Sequence, residues 1–553
     1  MAIAHWRRSI VQPLCLVALS TIWAGTQQKF VFAQLSNPVA RQSISITHTN
    51  TTASASVLAP SSPAADSICP TQIGPAIAQI LQAHASLTPI PQPGEGSSAS
   101  NRSAFARARW GILIQTLGSA NAKSETLYAQ DSDRYFLPAS NAKLLTTAAA
   151  LHKLSPQFRI RTSVYRNESK GSGELRIFGR GDPSLTDQEL AFLAQQLRSQ
   201  GIRAVAQLTG DESYFYGPVP NPQWEWGDVQ TGYGAPVNSL ILNRNAIGLQ
   251  LWPQAVGQPL RVQWDDPAEA RRWRIDNQSV TVGDAEDEFV EVGRDLSQPL
   301  LRVQGQLRVG GLPEPVAVAI ADPSQNFLRR FQRALAAQQI RVGKTLVTHT
   351  PTTAADTEIA AIESPPLSTL LIETNRESNN LYAEAILRSL GVQAKASLKQ
   401  AAGLSTAEQG LAVVHQTLTE LGVEPDSYVL ADGSGLSRHN LVSPAALVQT
   451  LQAIAQLPEA EIYRASLPVA GVSGTLQGRF RNTPAQGRLQ AKTGTLSGIS
   501  ALSGYLNPPH YPPLVFSIIV NQSNQPASTL RQTIDEIALT LTRLRPCSGR
   551  SSF

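Results

Sequence analysis

Ser140 and Lys143 lie three residues apart and could together form an activated nucleophile. They occur in Ser140-Asn141-Ala142-Lys143, at the opening turn of a predicted helix, where residues three apart share one face. A serine hydroxyl is a weak nucleophile until a base takes its proton, and burial makes a lysine amine a better base. The spacing therefore predicts nucleophilic catalysis. Taken alone, a helix-capping serine with an incidental lysine explains the motif better.

A second candidate is Ser378-Asn379-Asn380, which follows Glu377 and opens another predicted helix. A hydroxyl and an amide two residues apart on a tight connection can both point into one cleft. There the Ser378 hydroxyl could relay a proton and the Asn380 amide could hold a substrate carbonyl. A capping serine followed by Asn is common, so this motif is also weak by itself.

The third candidate is Lys492-Thr493-Gly494-Thr495, just before a predicted strand at 499–506. We expect it to begin or precede an edge strand. The absence of a side chain at Gly494 would let a substrate backbone lie against the strand, where Thr495 presents a hydroxyl and a backbone N–H. Lys492 would place a positive charge beside the nucleophile. The alternative is a strand-end lysine followed by a turn glycine.

The three motifs follow the order S-x-x-K, S-x-N, K-T-G, which is the order in penicillin-binding proteins and class A β-lactamases. The chain resembles the D-Ala-D-Ala carboxypeptidase/endopeptidase family of the penicillin-binding protein 4 type, because a large insert separates Lys143 from Ser378. Asn379 stands where many members have Asp. Other stretches that resemble the family are Gly179 to Pro183, Trp224 to Asp228, Tyr233 to Pro236, Asn243 to Asn245 and Asp432 to Ser437.

The resemblance implies a two-step acyl transfer on peptidoglycan stem peptides. Its roles are carried over to matching positions: Ser140 as nucleophile, Lys143 as general base, Ser378 and Asn380 as proton relay and carbonyl clamp, Lys492 as electrostatic support, and Thr493, Gly494 and Thr495 as the substrate-binding strand. The backbone N–H groups of Ser140 and Thr495 would form the oxyanion hole. β-Lactam antibiotics would be trapped as acyl-enzymes. Two alternatives stay open: a β-lactamase or esterase on the same scaffold, and a non-catalytic wall-binding or penicillin-sensing protein.

Strand patterns near both ends of the sequence, with helical patterns between, indicate the fold that would hold these motifs. A hairpin is predicted from 111–115 and 126–129, and Ala/Leu-rich helical sequence spans 141–154. Short β-like runs fill most of 154–353, interrupted by helical patterns at 187–199 and 325–339. Strands at 499–506 and 514–521 precede an amphipathic helix. We expect an α/β fold of the penicillin-binding/β-lactamase-like transpeptidase type, an antiparallel sheet flanked by helices, interrupted by a β-rich insert of one or two domains.

Composition and the N-terminal sequence indicate an exported protein. The 553 residues carry a formal charge of +5 without a dense Lys/Arg stripe, which argues against nucleic-acid binding. Arg7 and Arg8 precede a short apolar stretch, so we predict a signal peptide, a periplasmic or cell-wall location and no stable membrane span. The predicted divisions are a signal peptide at 1–33, a Ser/Thr/Ala-rich tether at 34–68, a catalytic domain split into 69–168 and 351–547, an insert at 169–350, and a tail at 548–553.

After cleavage the remaining cysteines are Cys69 and Cys547, and export would place them where disulfides persist. We predict that they pair; the alternative is two unrelated thiols. The histidines are scattered and lack the spacing of metal ligands, so we expect no metal site. The sequence has no complete dinucleotide-binding or phosphate-binding motif, so we expect no cofactor. The sequence leaves the oligomeric state open.

Overall fold

A computed structural model of the protein describes residues 67–85, 108–118, 123–167, 173–295, 297–351, 356–394 and 403–547. The predicted signal peptide, most of the tether and the tail lie outside the described residues. The helices are α1 (Ile73–Ala85), α2 (Ala142–Leu154), α3 (Asp187–Ser199), α4 (Pro267–Ala270), α5 (Pro323–Ala337), α6 (Leu367–Asn375), α7 (Asn380–Ala394), α8 (Thr406–Glu420), α9 (Pro444–Ile454), α10 (Ala460–Ala465) and α11 (Ala527–Leu541).

The strands run from β1 to β19 in chain order. They are β1 (Arg109–Thr116), β2 (Thr126–Gln130), β3 (Arg161–Asn167), β4 (Glu174–Phe178), β5 (Ala204–Asp211), β6 (Ala246–Trp252), β7 (Arg261–Trp264), β8 (Arg274–Asn277), β9 (Val280–Val282), β10 (Phe289–Arg294), β11 (Leu300–Arg308), β12 (Glu314–Ala319), β13 (Arg341–Thr348), β14 (Asp356–Glu363), β15 (Tyr428–Val429), β16 (Leu441–Val442), β17 (Leu489–Leu496), β18 (Ile499–Leu506) and β19 (Leu514–Asn521).

The central sheet joins the two ends of the described chain. Its order is β17-β18-β19-β1-β2, and every neighbouring pair is antiparallel. Successive strand residues face opposite sides, so the sheet contributes to two cores. On one side, Val515 and Ile519 pack in a core with α2, α7, α8 and α9. On the other, Phe516 and Ile518 pack in a core with α1 and α11.

The insert is built from three further sheets. A five-stranded sheet of order β13-β5-β4-β3-β14 carries α3 and α5 against it, with Leu193 and Phe331 in the shared core. A three-stranded sheet β12-β6-β7 and a sheet of β10-β11-β8, with β9 paired to β11, share a smaller core around Trp264. The predicted architecture, an antiparallel sheet flanked by helices and interrupted by a large β-rich insert, is confirmed.

Most predicted elements occur where the patterns place them. The helix at 187–199 and the strands at 499–506 and 514–521 coincide with α3, β18 and β19. The helix predicted at 325–339 begins two residues earlier, because Asp322 caps it and accepts the backbone N–H of Gln325. The domain boundaries stay predictions. The strands β3 and β14 lie just outside the predicted insert of 169–350, but they pair with each other inside the insert sheet. Assigning them by sheet would therefore widen the insert at both ends.

The beginning and end of the described chain are joined by backbone pairing. Ile68, assigned to the tether from sequence, donates its N–H to Arg543 O at 3.1 Å and accepts from Arg545 N at 3.0 Å. The nearby Cys69 and Cys547 are free thiols, so the predicted disulfide is not formed in this structure. Interaction with Cys547 nevertheless raises the pKa of the Cys69 thiol. The pairing of the two cysteines stays a prediction.

No helix in the described ranges combines the length and the apolar character needed to cross a membrane.

Candidate active site

Ser140 lies in a short 3₁₀ turn, Ala139–Asn141, that leads directly into α2. Ala139, the residue before it, has φ +47°, a left-handed conformation that a non-glycine residue adopts only when its surroundings hold it there. Asn141 supplies one such restraint, because its Nδ2 donates to Ser503 Oγ on β18 at 2.7 Å. The turn thus fixes the Ser140 hydroxyl between the helix and the central sheet.

Lys143 follows within the first turn of α2 and is fully buried. Its Nζ lies 3.0 Å from Ser140 Oγ, 2.6 Å from Asn380 Oδ1 and 2.7 Å from the backbone carbonyl of Ser434. Burial lowers the pKa of Lys143 from 10.5 to about 7, while the negative charges of Asp432 and Glu384 oppose this shift. An amine with this pKa can exist in its neutral, basic form near neutral pH.

Ser378 and Asn380 lie at the junction between α6 and α7. Ser378 has φ +61°, and this strained conformation turns the chain sharply before Asn380 begins α7. The Asn380 side chain accepts from Lys143 through Oδ1 and donates through Nδ2 to the Tyr233 carbonyl at 3.0 Å. Asn380 therefore orients the Lys143 amine and ties it to the segment that carries Tyr233.

Lys492 lies on β17 and is fully buried. Its Nζ donates to Ser378 Oγ at 2.8 Å and to the Thr493 carbonyl at 2.9 Å. Burial and then the charge of Lys143 lower the pKa of Lys492 well below 10.5, although Glu377 favours the charged form. Burial therefore disfavours the fixed positive charge that the sequence predicts at Lys492.

The third motif lies directly before β18, as predicted, and it forms the second half of β17, the edge strand that the sequence expects it to begin or precede. The β-branched Thr493 and Thr495 favour extended backbone, and Thr495 pairs with Ser500 of β18. A Cβ atom at Gly494 would lie 2.7 Å from the Pro138 carbonyl, so glycine lets β17 approach the turn that carries Ser140. The predicted motif residues are thus brought together.

Several contacts in the site could not be assigned from sequence. The carbonyls of Tyr233 and Ser434 belong to stretches that resemble the family, but a backbone acceptor cannot be recognised from residue type. The Thr493 hydroxyl donates to Thr475 Oγ1 at 2.8 Å, which connects β17 to the turn Gly474–Leu476. Glu384 had an available signal, because it lies four residues after Asn380 and so on the same face of α7.

The chain is similar to known proteins over most of its length. Residues 97–541 match the model of the D-Ala-D-Ala carboxypeptidase 3 (S13) family. A D-alanyl-D-alanine carboxypeptidase of Actinomadura sp. (strain R39) is 34% identical over 438 residues, 76% of this chain and 79% of the relative. A penicillin-sensitive carboxypeptidase A of Dictyostelium discoideum is 29% identical over 481 residues, 81% of this chain and 89% of that protein.

The fold also matches solved structures. The crystal structure of penicillin binding protein 4 from Haemophilus influenzae aligns with a TM-score of 0.66 at 24% identity, covering 78% of this chain and 95% of that one. The same protein in complex with a β-lactam aligns with a TM-score of 0.63 at 22% identity, covering 79% and 97%. These alignments confirm the predicted fold class.

Proposed function

Because the chain belongs to the D-Ala-D-Ala carboxypeptidase 3 (S13) family, we propose that it cleaves the terminal D-Ala from peptidoglycan stem peptides through an acyl-enzyme on Ser140. Its activity is that of a serine-type D-Ala-D-Ala carboxypeptidase. The contacts of the site support the roles proposed below for individual residues.

The contact that carries the proposal is the one between Lys143 Nζ and Ser140 Oγ, at 3.0 Å. As an ammonium, Lys143 donates to all three of its oxygen partners. As a neutral amine it keeps the bonds to Asn380 and Ser434 and accepts the proton of the Ser140 hydroxyl instead. Lys143 is thus held with its lone pair toward the nucleophile, as a general base must be.

Attack by Ser140 Oγ on the carbonyl carbon of the penultimate D-Ala places negative charge on the carbonyl oxygen. The backbone N–H groups of Ser140 and Thr495 are assigned to stabilise it, each contributing on the order of a hundredfold or more in rate. The position of Gly494 against the turn before Ser140 supports this pairing, since a larger residue would hold the two groups apart.

The substrate carboxylate is assigned to Thr493, Thr495 and Lys492. A bound carboxylate would favour the ammonium form of Lys492, because an opposite charge stabilises it. The restored positive charge would in turn lower the pKa of the neighbouring Lys143. More of the Lys143 amine would then be neutral and able to accept the Ser140 proton. Substrate binding would therefore prepare the general base.

Departure of the terminal D-Ala requires a proton on its nitrogen. Lys143 supplies the proton that it took from Ser140, and Ser378 Oγ, which accepts a hydrogen bond from Lys492 Nζ at 2.8 Å, is assigned as the relay that delivers it. Water then attacks the ester carbonyl, Ser140 leaves with its proton restored, and the shortened peptide is released. A β-lactam would acylate the same oxygen. A cell-wall substrate requires export, so we also propose a periplasmic or cell-wall location.

Mass spectrometry of peptidoglycan fragments, before and after incubation with the purified protein, tests the activity. Loss of one Ala from peptides ending in D-Ala-D-Ala is expected, and Ser140→Ala should abolish it. Splitting of cross-linked dimers would add an endopeptidase activity. Folded wild-type protein that leaves all fragments intact, or that hydrolyses penicillin continuously instead, would contradict the proposal.

A further inference from the structure

Glu384 is a buried carboxyl next to the catalytic cleft that the acyl-transfer steps above do not use. It lies one turn after Asn380 on α7, on the face that looks toward α2, and its side chain is inaccessible to solvent. Burying a carboxyl without a compensating role is costly. Its contacts indicate what it does.

Glu384 Oε1 accepts two backbone N–H groups, from Gly433 at 2.8 Å and from Ser434 at 2.9 Å. The carbonyl of the same Ser434 accepts from Lys143 Nζ at 2.7 Å. One residue thus receives the carboxyl on its N–H and the lysine amine on its carbonyl. Thr146, on α2, adds a bond from its hydroxyl to the Gly433 carbonyl at 2.9 Å.

Gly433 and Ser434 belong to the segment 432–437, which packs against the turn that carries Ser140. This packing restricts how far the segment can move. Asp432 closes the turn by accepting the N–H groups of Gly435 at 2.7 Å and Ser437 at 2.8 Å. Gly435 has φ +82°, and a Cβ there would lie 1.8 Å from the Ala139 carbonyl. A shift of the segment would therefore move either Ser140 or the acceptor of Lys143.

The charge of Glu384 also acts on Lys143, whose pKa it raises. The second carboxyl oxygen of Glu384, Oε2, is buried and has no hydrogen-bond partner among the described residues. Burial, followed by the charge of Asp432, raises the pKa of Glu384 to about 7, while Arg388 favours the ionised form. The Arg388 guanidinium donates instead to the Pro218 carbonyl, with both terminal nitrogens at 3.2 Å.

The charged groups that act on Lys143 are Asp432, Glu384 and Lys492. Ionised Glu384 stabilises the Lys143 ammonium, which is inactive as a base. Protonated Glu384 does not. The carboxyl can therefore oppose or permit the general base without touching the substrate.

We propose that Glu384 is a positioning residue for acylation, which fixes the Ser434 carbonyl on the Lys143 amine and sets the pH range over which that amine acts as a base. This inference rests on the proposed function of Ser140 and Lys143. It adds a residue that acts only through the lysine.

The experiment measures the second-order rate of acylation by a fluorescent penicillin against pH, in the full chain. Glu384→Gln removes the charge and keeps the length, whereas Glu384→Asp keeps the charge and loses reach. Glu420→Gln is the matched control, because Glu420 is half-exposed and pairs with Lys153 at 2.7 Å on the surface. Thermal melts establish that each variant is folded.

In Glu384→Gln the acid limb of the rate profile should move to lower pH by roughly 0.5 to 1 unit, since a negative charge facing Lys143 is lost. In Glu384→Asp the rate should fall at every pH, by about tenfold or more, with the limb staying in place. Glu420→Gln should match the wild type. An unmoved limb in folded Glu384→Gln, or a move to higher pH, overturns the inference.

If the Glu384→Gln variant does not fold, a second measurement tests the same inference. In wild type carrying ¹³C-labelled glutamate, one carboxyl absent from the Glu384→Asp spectrum should titrate near neutral pH. Titration of every glutamate below about pH 5 would overturn the inference. Absence of penicillin labelling in the wild type would instead contradict the proposed function, so the two failures are distinguishable.

Discussion

The pH dependence of acylation follows directly from the burial of Lys143. With its pKa lowered to about 7, the neutral fraction is about one half at pH 7, about one in a hundred at pH 5 and nearly complete at pH 9. The rate of acylation should therefore rise about a hundredfold from pH 5 to a plateau above pH 8. A lysine with the ordinary value of 10.5 would give a rate still rising about tenfold per pH unit through pH 9.

Stopped-flow acylation by a fluorescent penicillin, in buffers of constant ionic strength, separates these cases. The penicillin carboxylate stays ionised across the range, so changes in rate report the enzyme. Circular dichroism at each pH establishes that the fold persists. Continued steep rise between pH 8 and pH 10 in folded protein would refute the argument that burial converts Lys143 into the base.

Two further predictions concern the nucleophile turn and the chain ends. Gly435→Ala should lower the acylation rate at least tenfold, because its Cβ would displace the Ala139 carbonyl; the matched Gly422→Ala has φ +86° and open space, so it should lose only about 1–2 kcal/mol of stability and keep its rate. Equal rates in the two folded variants would contradict this reading. Non-reducing peptide mapping should find Cys69 joined to Cys547, and the cross-link should stabilise the fold by roughly 6 kcal/mol in the entropy model. Recovery of both as free thiols from protein secreted into an oxidising compartment would reject the pairing.

Helices and strands could be predicted from the sequence where one hydrophobic periodicity runs through the whole element. α3 has a capping box from Thr186 to Glu189 at its start and an apolar stripe along it, and its bounds could be predicted without tertiary information. β18 and β19 are mostly apolar runs of eight residues in which every position is buried, so their limits could be predicted as well.

The residues of the site could be selected from sequence because their side-chain types and order are distinctive. Their supporting contacts could not, because they depend on how distant segments pack. The Ser434 carbonyl and the Tyr233 carbonyl are backbone groups, so any residue type would supply them. The ionisation of Lys492 is a further case: its pKa depends on burial and on Lys143, which lies 349 residues earlier in the chain by their numbers. Sequence alone suggested a fixed charge there.

The central claim is that Ser140 forms the covalent intermediate, with Lys143 as its base. The most direct measurement is mass spectrometry of the penicillin-labelled protein after proteolysis, with Ser140→Ala as the partner experiment and a melting curve to establish folding. The predicted result is a single penicilloyl adduct on Ser140 and no labelling of the folded alanine variant. An adduct on another residue, or undiminished labelling of Ser140→Ala, would contradict the account.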